Sequence, residues 1–244
     1  MKFLKAFSLQ SKFSILFIMN STLAFDVYGT LIDTGGVYKM LEIKVGTLAQ
    51  AFMEIWRAKQ LEYSFRRGLM QNYVSFSIST KQSLDFTCLQ LNVEFSQQGK
   101  SELMHQYTIL PTFADVADSL QMLKAANYRL FAFSNGKEDD VRVLLQNAGV
   151  LHFFEDVVSV DDVKTFKPSP VVYEHFLKKS MSLKTNSWLI SGNPFDVTGA
   201  ISAGMRAVWV KRDPKSHFDP WEIQPTETIN KLSDLIRVLI AQGR

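Results

Sequence analysis

Asp26 closes the apolar run Leu23-Ala24-Phe25 and is followed at once by a turn through Gly29 and Thr30, in the stretch LAFDVYGTLID. A carboxylate at that point stands at the mouth of a core rather than inside it. When ionised it is a competent nucleophile. Other polar residues occupy the same kind of position. Ser134 and Asn135 end the apolar run YRLFAFSNG, Asn193 ends WLISGN, and Lys167 opens the loop KPSP. One carboxylate, one cation and several hydrogen-bond donors, each where a run breaks, make a set that could attack an electrophile and stabilise the charge that develops.

The elements that would carry these residues are legible. STLAFD (21–26), YRLFAFSNG (128–136), FEDVVSV (154–160), WLISGN (188–193) and AVWVKR (207–212) are almost continuously apolar, as strands covered on both faces are. Helical segments alternate with them over Asp115–Ala126, Asp139–Ala148 with Gly149 as its stop, a helix toward Lys179 with Ser169 as N-cap and Pro170 at its first position, and Asp196–Ala203 before Gly204. Strand alternating with helix predicts an α/β fold, a Rossmann-like parallel sheet with helices on both faces. In such a sheet the ligand crevice lies outside the carboxyl ends of the strands, which is where Asp26, Ser134, Asn135 and Asn193 fall. Residues 32–113 break the alternation. Apolar residues there recur at helical spacing (Leu48, Phe52, Ile55, Trp56, Leu61, Phe65), so an all-helical cap inserted after the first strand is expected. The core would then comprise residues 19–31 and 114–244, with 1–18 as an extension.

DVYGTL, SNG, KP and SGNPFD, taken together, resemble the haloacid dehalogenase superfamily, and WRAKQLEY in the cap narrows the likeness to its L-2-haloacid dehalogenases. Phosphatase members of that superfamily carry a second aspartate two residues after the nucleophile and an acidic pair that holds Mg²⁺. Here Tyr28 and Gly192 stand at two of those positions, leaving Asp196 alone. A hard cation needs several oxygen ligands, so no metal and no cofactor are expected, with Lys167 supplying the positive charge. The alternative reading is a Mg²⁺-dependent phosphatase of the same fold, and a non-catalytic binding protein is a third.

The resemblance implies that Asp26 displaces halide from C2 of a short (S)-2-haloalkanoic acid. The resulting ester is then hydrolysed to the (R)-2-hydroxy acid. It implies that Thr30 hydrogen-bonds the nucleophile, that Ser191 and Asn193 lie near Asp26 and the hydrolytic water, and that Asp196 holds Lys167. Ser134 is expected to bind the substrate carboxylate, Asn135 and the cap's Arg57 the halide. Tyr173 would join the catalytic group, and Tyr28, Leu61, Phe76 and Phe195 would line an apolar pocket. Each has an ordinary structural reading as well: a turn hydroxyl, a strand terminus, a helix-start acid, a solvated arginine, a core aromatic. Ala58 and Phe195 differ from the glutamine and tryptophan common in that family, which leaves the substrate's chain length open.

Composition excludes several classes. The 244 residues carry 27 basic and 24 acidic side chains, net +3, with no basic block interleaved with aromatics, so nucleic acid is not indicated. Cys88 is the sole cysteine, so an internal disulfide is impossible and nothing points to an oxidising compartment. His105, His152, His175 and His217 show no metal-ligand spacing. MKFLKAFSLQSKFSILFI (1–18) resembles a weak signal peptide, but cleavage after STLA would cut into the run holding Asp26. A start at Met19 or a dispensable extension is therefore expected, together with a cytoplasmic location, no membrane anchor and, from the resemblance, a homodimer.

Overall fold

A computed structural model describes residues 21–242. The extension 1–18 and Met19 lie outside them. Six strands form one all-parallel sheet: β1 (Thr22–Phe25), β2 (Arg129–Ser134), β3 (Asp156–Ser159), β4 (Ser187–Ser191), β5 (Arg206–Val210) and β6 (Glu227–Ile229), in the order β3-β2-β1-β4-β5-β6. The chain winds outward through β2 and β3 on one side of β1 and through β4, β5 and β6 on the other. The direction of winding therefore reverses at β1, where a ligand crevice opens.

The side chains of the strands alternate between two cores. Leu23, Phe25, Leu130, Ala132, Trp188, Ile190, Val208 and Val210 face one layer of helices, whereas Ala24, Phe131, Phe133, Leu189, Ala207 and Trp209 face the other. Helix α5 (Val116–Ala125), α6 (Glu138–Asn147) and α9 (Leu235–Gln242) pack on the first face. Helix α7 (Pro170–Lys179) and α8 (Pro194–Ser202) pack on the second. Burial on both faces is why these strands read as unbroken apolar runs. The five expected strands are present; each ends earlier than expected, while β4 and β5 begin one residue sooner. β6 was not expected: it is three residues long and lies at the sheet edge, with Thr228 exposed. Ser169 does occupy the N-cap of α7, but its side chain makes no capping bond.

Four helices stand between β1 and α5: α1 (Gly35–Val45), α2 (Ala49–Leu69), α3 (Phe76–Leu91) and α4 (Gln97–Gln106). They form the helical cap. Its two links to the core run side by side, joined by an antiparallel bridge Ile32–Thr112 and by bonds from Asp33 N to the Pro111 carbonyl (2.9 Å) and from Phe113 N to the Leu31 carbonyl (3.0 Å). The buried stripe of α2 is Ala49, Phe52, Trp56, Gln60 and Ser64. The helical i, i+3/i+4 rhythm holds, but past Trp56 it continues in polar residues, while the apolar Leu61 is only partly buried and Leu48 is exposed.

Candidate active site

The carboxylate of Asp26 follows the last residue of β1, and its N–H still donates to the Ile190 carbonyl of β4 (3.0 Å), so its backbone belongs to the sheet. The chain then turns through Gly29, whose φ of +75° is a left-handed conformation suited to glycine. That turn brings Thr30 back so that its hydroxyl donates to Asp26 Oδ2 at 2.6 Å. Oδ2 also accepts from Asn193 Nδ2 (2.7 Å) and Ser191 Oγ (3.3 Å). Oδ1 accepts a single bond, from Lys167 Nζ at 3.3 Å. One oxygen is therefore saturated by three donors, and the other keeps lone pairs free for attack.

Lys167 is buried, and its ammonium donates to the Phe133 carbonyl (2.9 Å) and to Asp196 Oδ2 (2.7 Å), the shorter of its two carboxylate contacts. Tyr173 in α7 donates to Asp196 Oδ1 at 2.8 Å. Asp196 lies in the first turn of α8 with no exposed surface. Its burial raises the carboxyl from 3.8 to about 6, Lys167 opposing that rise and Asp26 adding to it. Ser134 and Asn135 end β2 and are buried, and each accepts one backbone N–H, which leaves the Ser134 hydroxyl proton and the Asn135 amide nitrogen as donors. Ser134 Oγ accepts from Gly136 N (3.1 Å), and Asn135 Oδ1 accepts from Lys167 N (3.0 Å).

The cap adds Arg57 from α2. Its guanidinium is partly buried, and burial lowers its pKa while the charges of Tyr107 and Asp26 oppose the shift. It donates to Asn193 Oδ1 (3.1 Å) and to Gln60 Oε1 (2.6 Å). Gln60 in turn donates to Thr80 Oγ1 at 2.7 Å. Between cap and core lies a cavity of about 210 Å³ lined by Tyr28, Arg57, Phe76, Tyr107 and Asn193, with Met53 and Thr34 in its wall. Tyr107 packs edge-on against Trp56 and Tyr28, and its burial raises the hydroxyl to about 12 against the pull of Arg57.

The structure thus brings together Asp26, Thr30, Arg57, Ser134, Asn135, Lys167, Tyr173, Ser191, Asn193 and Asp196, with Tyr28 and Phe76 beside them. Leu61 and Phe195 are not part of the cavity wall: Phe195 packs on Phe65 of the cap, ring centres 5.3 Å apart. Gln60, Tyr107, Met53 and Thr34 were not anticipated. Gln60 had a signal, since it lies three residues after Arg57 and so one helical turn away.

The donor set does not suit a divalent ion. Lys167 Nζ sits within reach of both carboxylates that a divalent ion would have to share, at 3.3 and 2.7 Å. Residue 192 supplies no acid, and a Cβ there would lie 2.4 Å from the Gly29 carbonyl oxygen. Among the described residues no group of three or more His, Cys, Asp or Glu is placed to hold an ion. The residues present do not fit Mg²⁺.

The fold and site define a class: a doubly wound parallel sheet with a carboxylate at the end of its central strand, bonded to Asn193, which lines a small cavity under a helical cap. The chain belongs to the haloacid dehalogenase-like hydrolase family, whose model matches residues 23–210, and within it groups with the L-2-haloacid dehalogenases. An (S)-2-haloacid dehalogenase of Pseudomonas putida is 33% identical over 218 residues, 89% of this chain and 96% of that protein. Haloacetate dehalogenase H-2 of Moraxella sp. (strain B) is 34% identical over 191 residues, 78% of this chain and 85% of that one. The solved L-2-haloacid dehalogenase of Xanthobacter autotrophicus with chloropropionic acid covalently bound aligns with a TM-score of 0.84 at 27% identity, covering 90% of this chain and 98% of that chain.

Proposed function

We propose that this chain hydrolyses short (S)-2-haloalkanoic acids to (R)-2-hydroxyalkanoic acids and halide, through an ester on Asp26. The observation that carries the reading is the asymmetry of Asp26, with Oδ2 held by Thr30, Asn193 and Ser191 and Oδ1 left with one long bond from Lys167. Oδ1 attacks C2 from the side opposite the halogen, the carbon–halogen bond breaks, and the configuration inverts. A departing chloride needs no proton, so Tyr28 in place of an acid costs the reaction nothing.

Oδ2 then becomes the ester carbonyl oxygen. Water adds to the carbonyl carbon, and charge develops on Oδ2, where the same three donors already point. That is an oxyanion hole assembled before it is needed. The tetrahedral species collapses with release of the hydroxy acid, which carries away the aspartyl Oδ1. Lys167 supplies fixed positive charge beside the carboxylate throughout, anchored by Asp196 and Tyr173. Arg57 faces the cavity from the cap and binds the leaving halide. The Ser134 hydroxyl binds the substrate carboxylate and the Asn135 amide contacts the halide, while Asn135 Oδ1 also fixes the peptide of Lys167.

The finer assignments belong to the same proposal. A homodimer is supported by apolar residues on the cap, Ile43, Leu69 and Leu89, which are 87%, 87% and 83% exposed in the single chain. A cytoplasmic location is supported by the single, buried, unpaired Cys88. Among the described residues no helix is long and apolar enough to cross a membrane.

The test is halide release from (S)-2-chloropropionate, run beside phosphate release from p-nitrophenyl phosphate with added Mg²⁺. Halide release with no phosphate release is expected. Phosphate release alone would overturn the reading.

A further inference from the structure

Arg212 lies two residues past the end of β5 and has no part in the chemistry described so far. Its side chain is 13% exposed, and all three of its guanidinium nitrogens donate hydrogen bonds. Nε and Nη2 donate to the backbone carbonyl of Thr30 at 3.1 and 2.8 Å. Nη1 donates to both oxygens of Asp115, at 2.8 and 2.9 Å. The guanidinium also lies over the ring of Phe113, 4.3 Å from its centre. Asp115 is fixed from a third side, since its Oδ2 accepts from Leu232 N at 2.7 Å.

These partners sit on either side of the cap. Thr30 precedes the outgoing link, and Phe113 and Asp115 belong to the returning one. The links are tied to each other through the Phe113–Leu31 and Asp33–Pro111 bonds. Thr30 is also the residue whose hydroxyl donates to Asp26 Oδ2 and accepts from Gly192 N (2.7 Å). A guanidinium that grips one carbonyl with two N–H groups fixes the plane of that peptide, which a single ammonium cannot do.

We propose that Arg212 is a positioning residue: by clamping the Thr30 carbonyl to Asp115 and Phe113, it sets the aim of Asp26 and ties it to the hinge of the cap. The inference rests on the reaction proposed above. Misplacing a reacting group by an ångström costs on the order of 10²-fold in rate, even when the change lies away from the chemistry.

The experiment is single-turnover formation of the Asp26 ester in the full chain, followed by mass spectrometry of quenched samples, for wild type, Arg212→Met, Arg212→Lys and Asp115→Asn. The amplitude counts correctly folded sites, and the rate constant reports the aim of the nucleophile. Full amplitude with a rate reduced about 10²-fold in Arg212→Met, and by less in Arg212→Lys and Asp115→Asn, is expected. Reduced amplitude at the wild-type rate would make Arg212 merely structural and overturn the inference. Should Arg212→Met fail to fold, Arg212→Lys and Asp115→Asn decide: the wild-type rate in both overturns it, and a slowed rate at full amplitude supports it. A wild-type enzyme that releases no halide would instead end the proposed reaction, so the two failures are separable.

Discussion

Arg57 of the cap donates to Asn193 of the core at 3.1 Å through the amide oxygen, which leaves the Asn193 amide nitrogen turned toward Asp26 at 2.7 Å. The cap therefore takes part in orienting the nucleophile without touching it. An amide has one accepting and one donating end. Holding the accepting end fixes the direction of the other. Closing the cap would thus align the Asn193 donor in the same movement that brings a cation to the cavity.

Substituting Arg57 should accordingly affect turnover more than stability. Removing a donor aimed at developing charge costs about 10²–10³ in rate. Arg57→Ala should fall in that range, and Arg57→Lys should also be impaired, because it keeps the charge but loses the planar fork whose two nitrogens reach Gln60 and Asn193. Ester formation is measured beside the melting temperature. Arg57→Ala forming ester at the wild-type rate would reduce the residue to a packing role.

Gln60 is the cap's internal brace for Arg57. It is buried between Arg57 Nη1 and Thr80 Oγ1. Gln60→Leu removes both partnerships and should cost about 1–3 kcal/mol of stability, the usual penalty for unpaired buried polar groups. It should also slow turnover, as Arg57 loses its orientation. Urea denaturation and steady-state kinetics on the same preparation check this, and unchanged values in both would contradict it.

The buried Asp196 makes a pH prediction with two opposite trends. Its carboxyl is raised by burial to about 6, so it takes up a proton as pH falls through that value and releases Lys167. Activity should decline there. Stability runs the other way. The folded pKa lies above the unfolded 3.8, so this group's contribution is complete below 3.8 and is lost as pH rises through about 6. Melting temperatures across that window, for wild type and Asp196→Asn, isolate the term: the difference between the two should change with pH. A constant difference would show that Asp196 does not titrate there.

Prolonged EDTA treatment should leave halide release unchanged, since Lys167 holds the space between the carboxylates. Gly192→Asp should not install a metal site. Its Cβ would meet the Gly29 carbonyl oxygen at 2.4 Å, and the collision is with backbone, which must move. A marked loss of melting temperature is expected. A stable variant that gains Mg²⁺-dependent phosphatase activity would contradict the account.

The strands and the polar residues at their ends were legible because both faces of the sheet are buried, so apolar runs and their breaks mark the sheet and its crevice directly. β6 was not legible, being three residues at an edge. The cap was readable as helical, but its register toward the site was not. Leu61 looked like a continuation of the apolar face, whereas the buried positions after Trp56 are Gln60 and Ser64. Hydrophobic periodicity cannot register a polar side chain buried because it is fully hydrogen-bonded. Arg212 and Asp115 escaped because they pair across 97 positions of sequence and otherwise bond backbone groups, neither of which leaves a local pattern. Phe195 is expected in the pocket from the family resemblance, and the structure packs it on Phe65 of the cap.

The central claim is that Asp26 forms an ester through Oδ1 while Oδ2 waits among its donors. One turnover in ¹⁸O-labelled water, with enzyme in excess over (S)-2-chloropropionate, tests it most directly. Water that attacks the aspartyl carbonyl leaves its oxygen in the enzyme. Mass spectrometry should therefore find the label in the peptide containing Asp26 and none in the first 2-hydroxypropionate released. Label in that product, with an unlabelled Asp26 peptide, would mean that water attacks C2 directly and would contradict the account.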